Sequence, residues 1–279
     1  MITGNTKKVG IIGWPVGHSL SPAMHNAAFA AGGLDYVYVP LAVEPGRLKE
    51  AVAGLKALGF VGANVTIPHK VEIMQYLDEI DHTAQSVGAV NTIVVKDGKC
   101  IGYNTDAQGF IRALEQKDIT IKGKQAVLLG AGGAARAVVA GLLDAGIEKI
   151  ILGARNRLKA EVFAKDFAGG LIAVYDWEDQ VFQENMAVCD ILINCTPLGM
   201  VPKLEEMPPV EWNKLKKTAT VCDLIYNPPL TKFLDTAKQA GHLTMNGEGM
   251  LIGQGAVAFH LWTGEFPDFT VMEYTFKNN

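Results

Sequence analysis

Apolar runs alternate with amphipathic segments over the first third of the chain. The pattern predicts a strand followed by a helix three times, over residues 8–12, 23–31, 36–43, 45–58, 60–68 and 69–77. The amphipathic spacing is clearest in the second helix, where four apolar residues recur on one face: Leu48, Val52, Leu55 and Leu58. Because successive parallel strands need helical crossovers, this order predicts a parallel sheet. Residues 86–103 depart from the order and are predicted to form a β-hairpin with an Asp-Gly turn.

The second half of the chain repeats the alternation with longer apolar runs. Strands are predicted over 125–129, 149–152, 187–194 and 219–225, and helices over 134–143, 158–167 and 231–240. Two further helices, 107–116 and 247–261, would join this half to the first. We therefore predict an α/β protein of two domains. Residues 1–108 plus 247–279 would form a discontinuous domain with a mostly parallel sheet, and residues 109–246 would form the other.

The glycine turn after residue 129 fits a dinucleotide-binding fingerprint. Gly130, Gly132 and Ala135 have the spacing G-x-G-x-x-G/A. Gly130 would permit the tight turn, Gly132 would leave room for a pyrophosphate, and Ala135 would let helix and strand pack closely. Backbone N–H groups at the helix start would face the phosphates. An ordinary glycine turn is the alternative. The predicted cofactor-binding residues of this Rossmann-type domain are Gly130, Ala131, Gly132, Gly133, Ala134 and Ala135.

Basic residues that follow the predicted strand at 149–152 indicate which dinucleotide would bind. An NAD site usually has an acidic residue about 20 positions after the fingerprint, on the ribose hydroxyls. Here the corresponding segment carries Arg155, Arg157 and Lys159 and no acid. A guanidinium can bind a 2′-phosphate with two hydrogen bonds, whereas a carboxylate would repel it. We predict NADP(H) over NAD(H), with Arg155 and Lys159 at the phosphate; a basic surface loop is the alternative.

Composition narrows the classes of function. The chain has 279 residues and a net charge of −4, which argues against a nucleic-acid partner. No apolar run reaches the ~18 residues of a membrane span, and residues 1–8 are too polar for a signal peptide. Four cysteines without C-x-x-C spacing make a metal cluster or a disulfide framework unexpected, so we predict no metal and a cytoplasmic location.

Two serines follow the first predicted strand. Ser19 and Ser21 flank Leu20, so their hydroxyls would point together into a cleft if the loop is extended. The ends of strands in open α/β sheets are where ligands bind. Alternatively, Ser21 would be the N-cap of the helix that Pro22 begins, and Ser19 a solvated loop serine.

Lys70 is unusual for its position. A lysine in the first turn of a predicted helix opposes the helix dipole, which suggests a chemical reason for its presence. Asn64 and Thr66 alternate on the preceding strand and end at the same edge. Asp106 begins the next helix, where its carboxylate could hold a substrate hydroxyl and pair with Lys70. The alternatives are an exposed lysine on a fraying turn and an aspartate that only caps a helix.

Together these segments resemble the shikimate dehydrogenases over nearly the whole chain. Eight segments follow the family's order, at 18–22, 64–70, 88–92, 102–106, 130–135, 194–200, 223–228 and 249–254. The resemblance implies a catalytic pair, Lys70 and Asp106, at the reacting C3 oxygen. It implies a substrate site made of Ser19, Ser21, Asn64, Thr66, Asn91, Tyr226 and Gln254. It adds Thr196 and Gly249 to the cofactor site.

The activity that the resemblance implies is the reversible reduction of 3-dehydroshikimate to shikimate by NADPH, in aromatic amino-acid (chorismate) biosynthesis. Lys70 would act as the proton donor or would stabilise a developing alkoxide. The chain has Ala154-Arg-Asn156 where the family often has Asn-Arg-Thr, and Lys159 where a second arginine is common. Two rivals remain: a quinate/shikimate dehydrogenase using NAD, and a non-catalytic sensing paralogue. The implied partner is the small acid, with the chain a monomer or a homodimer.

Overall fold

The computed structural model describes residues 2–167 and 169–279, which divide into two compact units. The first unit runs to Gly109 and includes Ile252–Asn279, and the second is Phe110–Leu251. Two helices, Asp106–Glu115 and Glu248–Thr263, continue from one unit into the other. The α/β class predicted from the alternation is confirmed.

The helices and strands of the described residues are as follows. The strands are β1 (Lys7–Gly13), β2 (Tyr36–Ala42), β3 (Phe60–Val65), β4 (Glu79–Ile80), β5 (Thr92–Lys96), β6 (Lys99–Tyr103), β7 (Gln125–Leu129), β8 (Lys149–Ala154), β9 (Ile172–Asp176), β10 (Ile191–Asn194), β11 (Thr220–Asp223) and β12 (Leu243–Met245). The α-helices are α1 (Ser21–Ala31), α2 (Leu48–Ala57), α3 (His82–Val87), α4 (Asp106–Glu115), α5 (Gly133–Asp144), α6 (Arg157–Lys165), α7 (Gln180–Glu184), α8 (Lys232–Gln239), α9 (Glu248–Thr263) and α10 (Phe269–Lys277). None of them combines the length and the apolar character needed to cross a bilayer.

The first unit is built on a mixed sheet with the strand order β2-β1-β3-β5-β6-β4. The central strand β1 pairs in parallel with β2 and β3, and β4 pairs in parallel with β6. The hairpin of β5 and β6 supplies the antiparallel pairings. The parallel strands β1 and β3 therefore end at one edge of the sheet, and the polar residues that follow them are brought close together.

The second unit has a fully parallel sheet with the order β12-β11-β10-β7-β8-β9. Starting from β7, this is the doubly wound order of dinucleotide-binding domains. Successive residues of β7 face opposite cores, since Leu128 belongs to one apolar cluster and Leu129 to the other. Helices cover both faces, which explains why these strands are apolar at consecutive positions.

The helix predicted over residues 69–77 was wrong. The segment begins with a turn, and only Glu72–Tyr76 is helical, as a 3₁₀-helix. The carbonyl of Lys70 accepts a hydrogen bond from the Val90 N–H at 2.8 Å, which withdraws it from a helical ladder. The dipole argument for Lys70 therefore does not apply.

Candidate active site

Lys70 and Asp106 form an ion pair in the first unit. The Lys70 Nζ lies 2.8 Å from the Asp106 Oδ2. The side chains are 32% and 20% exposed, so a small molecule can reach both. The turn after β3 carries the lysine and the first residue of α4 carries the aspartate, which brings together residues 36 positions apart. The pair is therefore assembled by the fold and not by local sequence.

Asn91 holds the other oxygen of this carboxylate. Its Nδ2 donates to the Asp106 Oδ1 at 2.8 Å, while its Oδ1 accepts from the Thr105 N–H at 2.9 Å. Asn91 is buried, and its backbone N–H bonds the Tyr103 carbonyl. Both oxygens of Asp106 thus accept hydrogen bonds from side chains, which fixes the plane of the carboxylate beside Lys70.

A second buried amide continues the network. The Asn64 Nδ2 donates to the Asn91 carbonyl at 3.1 Å and to the Thr92 Oγ1 at 3.0 Å. Thr92 in turn donates to the Asn91 Oδ1 at 3.0 Å. The Asn64 Oδ1 accepts from the Tyr38 hydroxyl at 2.8 Å. These bonds form one unbroken chain of polar contacts from Tyr38 to Lys70.

The serines lie beside the same strands. Helix α1 begins at Ser21, the capping position is taken by Leu20, and no side chain caps the helix end. The alternative that Ser21 only caps the helix is therefore wrong. The Ser19 Oγ accepts from the Ser21 N–H at 3.3 Å. The remaining predicted residues of this unit are half-buried Thr66, directly after β3, and buried Gln254, on α9.

The glycine turn of the second unit has the geometry that a pyrophosphate needs. A Cβ on Gly132 or Gly133 would meet no atom within 4 Å, so the backbone at the start of α5 borders open space. The first turn of α5 carries no acidic residue. Ala131 is half-buried and Ala134 is exposed, whereas Ala135 is fully buried against the core. The open space at Gly132 and the burial of Ala135 are compatible with the approach and packing roles predicted for a dinucleotide fingerprint.

Gly130 connects this turn to the loop after β10. Its φ is +99°, and a Cβ there would lie 2.7 Å from the Cγ2 of Thr196. A side chain at this position would have to displace Thr196. The structure thus brings two predicted cofactor residues together, although 66 positions separate them in the chain.

The predicted phosphate-binding residues lie at the end of β8 and the start of α6. Arg155 is exposed, and its guanidinium carbon lies 5.6 Å from the centroid of the Trp177 ring. Lys159 is exposed on the first turn of α6, where its N–H bonds the Asn156 side chain. Within residues 2–167 and 169–279, no carboxylate forms an ion pair with either side chain. Both cations are available to an anionic ligand.

Thr196 is held by a buried polar network that includes Asp223. The Thr196 Oγ1 donates to the Asn194 Oδ1 at 2.7 Å, and the Asn194 Nδ2 donates to the Asp223 Oδ1 at 3.1 Å. The Asp223 Oδ2 accepts from the Thr231 hydroxyl at 2.6 Å. Burial raises the pKa of Asp223 to about 6, although these hydrogen bonds and one from Ile225 oppose the rise. The loops after β10 and β11 are therefore joined through one carboxylate.

Tyr226 and Gly249 are the other two predicted residues of the second unit. Tyr226 follows β11 and is 41% exposed. Gly249 lies on α9, where a Cβ would come within 2.9 Å of the Ala113 Cβ on α4. The structure thus gives Gly249 a packing role between two helices.

Sequence reasoning did not find Tyr38 or a role for Asp223. Tyr38 lies on β2, a strand predicted from its apolar pattern, and nothing in that pattern separates a buried hydroxyl from a core aromatic. Asp223 lies in residues 223–228, one of the segments that resemble the family, but only the fold shows which loops its side chain joins. A polar residue in an otherwise apolar strand was the available signal in both cases.

Models of known families match most of the chain. The model for the shikimate dehydrogenase substrate-binding domain matches residues 11–93, and the model for shikimate/quinate 5-dehydrogenase matches residues 112–207. The model for the shikimate 5′-dehydrogenase C-terminal domain matches residues 247–273. The three matches follow one another along both units.

Individual proteins are similar over nearly their full length. A shikimate dehydrogenase (NADP⁺) of Methanocaldococcus jannaschii is 51% identical over 275 residues, covering 98% of this chain and 97% of that protein. A crystal structure of a shikimate dehydrogenase in complex with NADP⁺ aligns with a TM-score of 0.91 and 49% identity, covering 100% of this chain and 97% of the other. A shikimate 5-dehydrogenase of Listeria monocytogenes in complex with shikimate and NAD aligns with a TM-score of 0.93 and 37% identity, over 98% and 97% of the two chains.

Proposed function

The chain belongs to the shikimate dehydrogenase family, and on that premise we propose that it catalyses the reversible reduction of 3-dehydroshikimate to shikimate with NADPH. The single observation that carries the chemistry is the ion pair of Lys70 and Asp106, 2.8 Å between Nζ and Oδ2. Both members of the pair are present and accessible, which favours an enzyme over a non-catalytic sensing paralogue.

The proton is handled by this pair. When bound, the nicotinamide supplies or accepts the hydride at the substrate C3. In the reductive direction the Lys70 ammonium donates a proton to the C3 oxygen as negative charge develops on it. In the oxidative direction the neutral amine takes that proton back. Asp106 accepts a hydrogen bond from the substrate hydroxyl and keeps the Lys70 Nζ beside it.

The rest of the substrate is bound by polar groups of the first unit. We assign the ring hydroxyls and the carboxylate to Ser19, Ser21, Asn64, Thr66, Asn91 and Gln254, and we propose Tyr226 as a further substrate-binding residue. The support for this set is the buried network in which Asn64 and Asn91 are fixed. A polyhydroxylated acid needs several such oriented donors and acceptors, because each unmet hydroxyl costs free energy on binding.

NADP binds to the second unit in this proposal. The residues fit a dinucleotide, since open space lies in front of Gly132 and Gly133 and the start of α5 carries no acid. Arg155 and Lys159 would hold the 2′-phosphate, while Thr196 and Gly249 complete the cofactor set. The exposed cations, which form no ion pair among the described residues, favour NADP over NAD.

We also propose a cellular location and an oligomeric state. All four cysteines are free thiols, which suits the reducing cytoplasm. The proposed chemistry requires no residue from a second copy, so the chain would act as a monomer or a homodimer. Light scattering on the purified protein distinguishes these two states.

Steady-state assays with two substrates and two cofactors test the proposed function. Initial rates are measured for shikimate and quinate, each with NADP⁺ and with NAD⁺. We expect the highest kcat/KM for shikimate with NADP⁺. A higher value for quinate with NAD⁺ would favour the rival enzyme, and no turnover with any of the four pairs would favour the sensing paralogue.

A further inference from the structure

The hydroxyl of Tyr38 binds a proposed substrate-binding residue that lies on a different strand. It donates to the Asn64 Oδ1 at 2.8 Å. Asn64 lies near the end of β3, so one buried side chain on β2 fixes an amide two strands away in the sheet. Tyr38 is 2% exposed, and its hydroxyl proton is already donated to Asn64.

The bond from Tyr38 determines what Asn64 can offer. Both N–H groups of the Asn64 amide are engaged, one by the Asn91 carbonyl and one by the Thr92 Oγ1. The Oδ1 has two lone pairs, of which Tyr38 uses one. Asn64 therefore presents a single acceptor site, and it can bind a substrate hydroxyl only as that hydroxyl's acceptor.

The ring of Tyr38 is held independently of its hydroxyl. It stacks on His25 with 4.5 Å between ring centroids and an interplanar angle of 2°. Trp262 packs against it with centroids 6.0 Å apart. These aromatic contacts would hold a phenylalanine ring in the same place. The hydroxyl can thus be removed without moving the side chain.

We propose that Tyr38 is a positioning residue for the substrate, which acts by fixing the Asn64 amide in its binding orientation. The inference rests on the proposed function and adds a residue to it. Without the Tyr38 hydroxyl, the Asn64 Oδ1 loses a buried partner. Substrate binding should then weaken, while hydride and proton transfer at C3 stay largely intact.

The Tyr38 hydroxyl stays protonated near neutral pH, so it can always donate its hydrogen bond to Asn64. Burial raises the pKa of Tyr38 well above its ordinary value. The stacked imidazole of His25 is also buried, which lowers its pKa to about 3. Neither group changes charge near neutral pH, so the effect of Tyr38 should not vary with pH there.

Tyr38→Phe tests the proposal, with Tyr36→Phe as the matched control. Tyr36 lies two residues away on the same strand, and its hydroxyl donates to the backbone carbonyl of Trp262 at 3.1 Å. A buried hydrogen bond contributes about 1–2 kcal/mol, so Tyr38→Phe should raise the KM for shikimate roughly 5- to 30-fold. The KM for NADP⁺ should stay unchanged and kcat should fall less than about 3-fold. Tyr36→Phe should change none of the three.

The possible outcomes distinguish a failure of the role of Tyr38 from a failure of the proposed function. Wild-type protein that fails to oxidise shikimate with NADP⁺ overturns both. Active wild type with an unchanged shikimate KM in Tyr38→Phe, or an equal rise in the KM for NADP⁺, overturns the role of Tyr38 alone. Should Tyr38→Phe not fold, Thr92→Val removes the acceptor on the other side of the Asn64 amide. It should raise the shikimate KM in the same way, and an unchanged KM would overturn the inference.

Discussion

The buried carboxylate of Asp223 should make the stability of the protein depend on pH in an unusual direction. Burial raises its pKa from the ordinary value of 3.8 to about 6. When the pKa of a carboxyl group is higher in the folded protein than in the unfolded chain, protonation favours the folded state. The resulting stabilisation is complete at pH values below the pKa of the unfolded chain. That stabilisation is lost as the pH rises through the folded value. The contribution of Asp223 is therefore present below about pH 4 and absent above about pH 6.

The magnitude follows from the difference between the two pKa values, 3.8 and about 6. Each unit corresponds to 1.36 kcal/mol, so the loss amounts to about 3 kcal/mol. The neighbouring thiols of Cys195 and Cys222 do not add to it, because burial raises the pKa of both and they stay neutral in this range.

Asp223→Asn isolates this contribution. An asparagine can keep its oxygen toward the Asn194 Nδ2 and the Ile225 N–H and can donate to the Thr231 hydroxyl. Urea unfolding of both proteins between about pH 4 and pH 7 gives the difference in unfolding free energy. That difference, wild type minus variant, should fall by about 2.5 kcal/mol over the range, because the unfolded carboxyl is already partly ionised at pH 4.

Asp81→Asn is the control with the opposite sign. Although burial alone would raise the pKa of Asp81, hydrogen bonds from Thr83 and the nearby His82 lower it overall. Its stabilisation is therefore present at neutral pH and is lost as the pH falls. A difference for Asp223→Asn that is flat, or that rises with pH as the one for Asp81→Asn should, would refute the reasoning about the buried carboxylate.

Three further predictions concern the cofactor site and the core. Arg155→Ala should raise the KM for NADP⁺ about 10-fold or more and leave the KM for NAD⁺ unchanged in steady-state assays. Gly132→Val should also raise the KM for NADPH, because the side chain would fill open space at the start of α5; thermal unfolding should show an unchanged Tm. Gly62→Ala should cost about 1–3 kcal/mol in urea unfolding, since a Cβ there would collide with the Trp262 ring and the Ile93 carbonyl.

The sequence predicted the architecture of the second unit better than that of the first. Fully covered parallel strands such as β7 and β8 contain no polar or charged side chain after their first residue, so their pattern is strong. The short strand β9 was missed because the residues Ile172–Asp176 are all only half-buried. The turn at Lys70 was predicted as a helix, because its tertiary bond to Val90 cannot be seen in a local pattern.

The candidate site was predictable as a set of residues but not as a network. Asn64, Asn91 and Asp106 all lie in segments that resemble the family. The fold brings these three residues into one hydrogen-bonded chain. Tyr38 completes that chain from a strand with no chemical signature of its own. Long-range contacts across a sheet decide which polar residues are fixed, and no spacing along the chain encodes them.

The rate of NADPH oxidation with 3-dehydroshikimate, for wild type and Lys70→Ala, tests the central claim most directly. Lys56→Ala is the matched control, since Lys56 forms an ion pair with Asp78 at 2.7 Å and is 33% exposed, against 32% for Lys70. We expect Lys70→Ala to lose about 10²-fold or more in kcat and Lys56→Ala to match the wild type. Near-normal turnover by Lys70→Ala would contradict the account.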